Sequence, residues 1–144
     1  MPTFPMENFM EHFQWTDELS VNIEEIDSQH KEFINLTNKL SGAINLGKGF
    51  DILEETLSEL IEYAAVHFAT EERLMKVHGY PDLAEHEKEH EELKEHIMTL
   101  YSRFNKDQLI LAETVAYFLE DWILNHIKRT DMKYSPFLNN KGVR

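Results

Sequence analysis

Cysteine is absent from the 144 residues, which excludes disulfides, thiolate metal sites and iron–sulfur clusters. Glycine and proline are scarce, with five and four copies. They fall at the chain ends or near candidate helix ends, leaving long stretches with nothing to interrupt a helix. Positive charge is short as well. Fourteen Lys and Arg against 27 Asp and Glu give a net charge of −13. No basic stripe is available to meet phosphates, so a nucleic-acid partner is excluded, and an anionic membrane surface is disfavoured. No apolar run approaches the roughly 20 residues that span a bilayer. The N-terminal stretch lacks a basic segment before its apolar residues and is broken by Pro5, Glu7 and Glu11. A cytoplasmic location is the expectation.

What is present is a chain of one domain's length, 42% apolar and 28% charged, an ordinary soluble composition. Residues 1–21 are expected to form an irregular arm rich in Phe and Met, with Trp15 packed over one end of the fold. His12 in this arm is expected to be a surface residue. The first helix is expected to start between Asn22 and Ser28, with Asn22 and Glu25 as a capping box and Asp27 as a rival cap. Ile23, Ile26, His30, Phe33, Thr37, Leu40 and Ile44 trace one apolar stripe along it. It ends near Leu46 and Gly47.

The spacing predicts a second helix from an Asp51/Glu54 capping box to His78, closed by Gly79 as a left-handed cap and by Pro81. Its inner face is Leu53, Leu57, Leu60, Ala64, His67, Glu71 and Met75. A third helix is predicted from Asp82 to about Phe104, with His86, His90, Leu93, Ile97, Leu100 and Phe104 as its inward seam. A fourth runs from about Leu109 to Tyr134, stopped by Pro136, with Val115, Leu119, Trp122, Ile123 and His126 inward and Ile127 beside them. Residues 139–144 are expected to be a loose, solvated tail. The architecture is therefore all-α: an up-down-up-down antiparallel four-helix bundle over 22–138, preceded by the arm.

Chemistry concentrates between His67 and His90. His67 and Glu71 lie four residues apart, as do His86 and His90, so each pair shares one helix face. A Glu on an inner stripe is costly without a cation. His30 adds a third imidazole, although a lone His on an apolar face is more often a core residue. His126 and Asp131 complete the candidates. Five residues separate them, about 140° around a regular α-helix. They converge only through a π-type widening, a bend, or a site wide enough for two metals. His78 lies about 10 Å beyond Glu71 along the axis and His96 is off the seam, so neither is expected to join the cluster.

Five imidazoles and two carboxylates exceed the four donors of a tetrahedral zinc. If two six-coordinate irons share Glu71, Asp131 and one solvent-derived oxygen, five His fill five of the remaining six positions. One position stays open, on one metal. Trp122, Ile123 and Ile127 offer it an apolar pocket without a general acid or base, which suits a small gas better than a polar substrate.

The segment Ile26-Asp-Ser-Gln-His30, the run His67-Phe-Ala-Thr-Glu71-Glu, His78-Gly-Tyr-Pro81, the His86/His90 pair, Trp122-Ile-Leu-Asn-His126-Ile, and Asp131 with Tyr134 together resemble the hemerythrin family, in its stand-alone single-domain form. The resemblance covers about Trp15 to Leu138. It implies that His86, His90 and His126 hold one iron and His30 and His67 the other. Glu71 and Asp131 would bridge two oxo- or hydroxo-linked non-haem irons, and O2 would bind at the two-histidine iron. The implied role is reversible O2 binding for carriage, storage or delivery to an oxygen-using enzyme or redox partner, without catalysis. The alternative is a sensor of oxygen, nitric oxide or redox and iron state acting through a separate partner. A histidine phosphotransfer bundle would need an exposed His, whereas these five lie on inner faces.

Overall fold

The apolar stripes fold as helices in the order in which they occur. A computed structural model describes residues 14–47, 50–107 and 110–144, with side chains described for 14–47, 54–99, 101–102 and 116–144. Helix α1 spans Glu24–Asn45, α2 Phe50–Val77, α3 Leu83–Asp107 and α4 Ile110–His126. The last continues through a π-helical turn, Ile127–Asp131, into α5, Met132–Asn140. A single 3-10 turn, Asp17–Leu19, precedes them, and every regular element among the described residues is helical. Helix α1 packs against α2 and α4, and α3 packs against the same two, which closes an antiparallel up-down-up-down bundle. No described helix is long and apolar enough to cross a membrane.

The stripes carry the packing as expected. Ile23, Ile26, His30, Phe33, Thr37 and Leu40 of the first stripe are buried. So are Leu57, Leu60, Ala64, His67, Glu71 and Met75 of the second, and His86, His90, Leu93 and Ile97 of the third. His12, Leu53, Leu100, Phe104 and Val115 lie outside the described side chains. The core divides in two. A larger cluster holds Phe33, Phe68, Leu93, Ile123 and Ile127. A smaller one holds Ile26, Met75, Tyr80, Tyr134 and Leu138. On α1, His30 sits between Ile26 and Phe33, and on α2, Glu71 sits between Phe68 and Met75. Asp131 likewise sits between Ile127 and Tyr134. The polar side chains therefore form a layer clamped between two apolar ones, where water is excluded and electrostatic interactions are strong.

The helix ends differ from expectation in three places. The Asn22/Glu25 capping box does not form: Asn22 takes a left-handed φ of 58°, and Ile23 occupies the cap position without a side-chain bond. Asp27 reaches back instead, accepting from Ser20 Oγ at 2.5 Å and Val21 N at 2.8 Å. A carboxylate in the first turn satisfies donors that the arm would otherwise leave open. Pro136 does not stop the last helix, because it lies inside α5. Tyr134 and Leu138 are buried in the smaller cluster, and Ser135 Oγ donates to Val21 O. These contacts offset the roughly 3 kcal/mol that an internal proline costs. Nor is the tail loose. Asn139 lies in α5, and its Nδ2 donates to Asn22 O at 3.0 Å and Val143 O at 2.7 Å. Val143 packs on the smaller cluster.

The expected closure of the second helix forms in full. Gly79 has φ +71°, Tyr80 N donates to Met75 O at 2.9 Å, and Gly79 N donates to Lys76 O at 3.3 Å. The two bonds are a Schellman motif, with Tyr80 and Met75 sharing the smaller cluster. A Cβ at Gly79 would meet nothing within 4 Å, so only backbone conformation opposes a side chain there. Gly79→Ala is expected to cost about 1 kcal/mol in urea unfolding of the chain; no loss would show that this turn relaxes freely.

Candidate metal centre

Each helix brings its donors inward at one level of the bundle. His30 comes from α1, His67 and Glu71 from α2, His86 and His90 from α3, His126 from the end of α4, and Asp131 from the end of the π turn. All seven are buried. They form two overlapping groups. Donor atoms of Glu71, His86, His90, His126 and Asp131 lie within 4.8 Å of one another, and so do those of His30, His67, Glu71 and Asp131. The π turn resolves the five-residue spacing. Met132 N donates to Ile127 O, a bond spanning five residues rather than four. The widened turn swings Asp131 back over His126, and their Oδ1 and Nε2 stand 2.9 Å apart. Thr130 Oγ1 donates to Glu89 Oε1 at 3.0 Å and ties the turn to α3.

Asp131 divides its oxygens between the groups. Oδ1 is 2.9 Å from His126 Nε2 and 3.2 Å from His86 Nε2, whereas Oδ2 is 3.0 Å from His30 Nε2. Glu71 Oε1 lies 3.1 Å from His90 Nε2 and 3.5 Å from His67 Nε2. Its Oε2 accepts from the Tyr134 hydroxyl at 2.5 Å and faces His30 at 3.9 Å.

Apart from the bond from Tyr134, these contacts do not satisfy hydrogen-bond geometry. The Nε2 atoms of His30, His86, His90 and His126, Glu71 Oε1 and both Asp131 oxygens are buried without a hydrogen-bond partner. Leaving so many buried polar atoms unmet is costly. The donors point at common centres rather than at one another, which is what metal ligands do. Spacing fits too. Adjacent donors about 2.1 Å from a six-coordinate ion stand √2 times farther apart, about 3.0 Å. The shortest contacts, from 2.9 to 3.2 Å, match that edge.

Without a cation, the buried carboxylates and the imidazoles beside them shift one another's protonation. Burial alone would raise both carboxyls, but the surrounding imidazoles outweigh it and hold Glu71 and Asp131 below the usual carboxylate range. Burial would lower His86, yet the Asp131 and Glu71 carboxylates push it up to about 10. His126 is raised as well, burial again being overcome by Asp131. His67 goes the other way, since burial dominates and takes it down to about 4. Burial and the Glu71 charge push the Tyr134 hydroxyl up, so it remains a donor.

A family model for the hemerythrin HHE cation binding domain matches residues 21–138. The chain belongs to the hemerythrin family. A bacteriohemerythrin from Methylococcus capsulatus is 33% identical over 126 residues, covering 87% of this chain and 95% of that protein. A myohemerythrin from Theromyzon tessulatum is 30% identical over 124 residues, covering 86% and 92%. The crystal structure of a wild-type hemerythrin superposes with a TM-score of 0.80 at 32% identity, covering 88% of this chain and 97% of that one. As a hemerythrin-family bundle, the chain carries a buried His, Glu and Asp group able to bind metal.

Several residues that shape the hemerythrin-type site were given no role in it by the sequence. Phe68 stacks on His90, with ring centroids 4.0 Å apart at 12°, and also touches His67 and His126. Tyr134 anchors Glu71. Gln29 Oε1 is 2.8 Å from His67 Nδ1, and Glu72 Oε2 is 2.7 Å from His90 Nδ1. Of the apolar residues expected to line the pocket, Ile123 and Ile127 are buried in the cluster that holds Phe33 and Phe68. Trp122 stacks on His126 at 4.2 Å and 14°, in the three-histidine group. Besides His30, Phe33 of α1 sets its ring edge-on to His67, at 6.4 Å. His78 is half-buried at its helix end, and His96 is exposed and stacked on Phe118.

Proposed function

We propose that this chain binds O2 reversibly at a pair of non-haem irons, for carriage, storage or delivery. The observation that carries the reading is the set of seven buried donors in two overlapping groups, most of their inward atoms without a hydrogen-bond partner. His86, His90 and His126 would hold one iron, His30 and His67 the other, and Glu71 and Asp131 both. The chemistry a bound iron pair would supply there is reversible electron donation to O2. With Glu71 and Asp131 shared, the two-histidine position would have one protein donor fewer than the three-histidine position, which would be room for one small ligand.

The chain's own residues do the rest. Phe68 and Trp122 brace His90 and His126 by stacking. The buried Ile123 and Ile127 would give the ligand an apolar, dry surrounding, while Trp122 lies against His126 of the three-histidine group. Nearby, the Tyr134 proton is committed to Glu71 rather than free for catalysis. Binding rather than turnover follows from that scarcity of proton donors. Reducing the purified chain without air and then admitting O2 tests the reading. Two irons per chain and a visible charge-transfer band that appears with O2 and reverses on its removal are expected. Bound zinc in place of iron, or immediate and irreversible oxidation, would sink it.

A further inference from the structure

The two groups of donors share carboxylates, yet the imidazoles they use are not held alike. His67 and His90 each turn Nε2 inward, and each has its Nδ1 bound by a side chain outside the cluster. For His67 that partner is an amide. Gln29 Oε1 stands 2.8 Å from His67 Nδ1, Gln29 Nε2 donates to Thr70 Oγ1 at 3.1 Å, and Thr70 Oγ1 donates to Val66 O at 3.1 Å. A threonine hydroxyl has one proton, and here it goes to Val66. Thr70 must therefore accept from Gln29, which leaves the amide oxygen facing His67. His67 Nδ1 must then carry the hydrogen, and Nε2 presents its lone pair to the cluster. A reversed amide would put the hydrogen on Nε2 and block it as a ligand.

His90 has a different partner, Glu72, whose Oε2 is 2.7 Å from Nδ1. A carboxylate can only accept, so Nδ1 carries the hydrogen here too. The bond is charge-assisted, and it pulls on the imidazole proton more strongly than a neutral amide does. Hydrogen bonding at the outer nitrogen raises the basicity of the inner one.

We infer that Gln29 and Glu72 are positioning residues that make the two metal positions electronically unequal. Glu72 makes His90 the stronger donor and biases the three-histidine position toward higher metal charge. Gln29 locks the His67 tautomer while leaving it the weaker donor, at the position that takes the ligand. The inequality of ligand number is thus reinforced from outside the ligand set. The part concerning ligand binding rests on the oxygen-binding reading, whereas the tautomers and donor strengths do not.

The test is nitrogen NMR of histidine-labelled full-length chain loaded with zinc, which needs neither iron nor O2. Both His67 and His90 are expected as Nδ1–H tautomers, with the His90 Nδ1 signal displaced toward the imidazolate range. Gln29→Glu should move the His67 signal toward that of His90, and Glu72→Gln should move His90 toward His67, with helix content unchanged. Gln29→Leu removes the lock and should weaken zinc binding about tenfold or more, with rescue in Gln29→Glu. An Nε2–H tautomer at His67, or signals indifferent to both exchanges, overturns the inference. On the iron-loaded chain, Gln29→Glu should lower the reduction potential and Glu72→Gln should raise it; unmoved potentials refute the bias. A chain that takes zinc with these tautomers but never binds O2 reversibly would instead refute the oxygen-binding reading.

Discussion

Glu71→Ala is expected to reduce the iron content from two per chain to one or none and to abolish the oxygen-dependent visible band. The reason is geometric. Glu71 is the carboxylate whose Oε1 faces His90 and whose Oε2 faces His30, so both donor groups lose a member at once. The loss also strands the Tyr134 hydroxyl, which is fully buried and has Glu71 Oε2 as its acceptor. An orphaned buried hydroxyl costs about 1–3 kcal/mol, so the variant's unfolding must be measured beside its metal content. Tyr134→Phe separates the two effects. It removes the hydrogen bond and keeps the carboxylate, and should retain both irons with a small change in stability. Glu71→Gln keeps the shape and an acceptor for Tyr134 but removes the charge, and should resemble Glu71→Ala in metal content. Retention of both metals by Glu71→Ala would show that Glu71 is not a shared ligand.

Much of this site was legible because helical periodicity does two things at once. The stripe that buries Ile26 and Phe33 necessarily buries His30 between them, and the stripe through Phe68 and Met75 does the same for Glu71. Spacings of three and four residues therefore placed five histidines and Glu71 on inner faces without any knowledge of the neighbours. Asp131 was the exception. Its five-residue offset from His126 does not resolve on a regular helix, and the π turn that resolves it depends on long-range contacts such as Thr130 with Glu89. The same limit explains Pro136, which ends helices by local rules but is carried here by the burial of Tyr134 and Leu138.

The supporting residues were hidden for a related reason. Glu72 is one acid in a chain with 27 Asp and Glu, and nothing local separates it from a solvated face. Its value comes from His90, eighteen positions away on another helix. Gln29 and His67 are separated by thirty-eight positions. Periodicity reports which face a residue is on; it says nothing of what stands opposite. Phe68 could have been found, since the neighbour of an inward His on a well-buried helix is often inward too. The tail failed differently: polar composition suggested solvation, while Asn139 uses its amide to hold the arm and the chain end together.

Removing the metal is expected to leave a folded bundle whose stability peaks near pH 6.5 and falls on both sides. His67 has a folded pKa of about 4, below the ordinary histidine value of about 6.5. The unfolded chain then binds the proton more tightly, so this contribution is present above pH 6.5 and is lost as pH falls toward 4. Glu71 and Asp131, held below their ordinary values, extend that loss at still lower pH. His86 behaves oppositely. Its folded pKa of about 10 means that its contribution is present below pH 6.5 and is lost as pH rises through 10, and His126 acts in the same direction. Bound metal is expected to remove the alkaline flank, because a cation would replace the proton that His86 lends to the two buried carboxylates. Loading at pH 7 must therefore release a proton from His86. It should also add about 4 kcal/mol when free metal is a thousandfold above its dissociation constant. Urea melts of metal-free and loaded chain from pH 4 to 10, with loading heats measured in buffers of different ionisation enthalpy, check both statements. A metal-free chain as stable at pH 9 as at pH 6.5, or loading without proton release, would show that His86 does not carry the compensating charge.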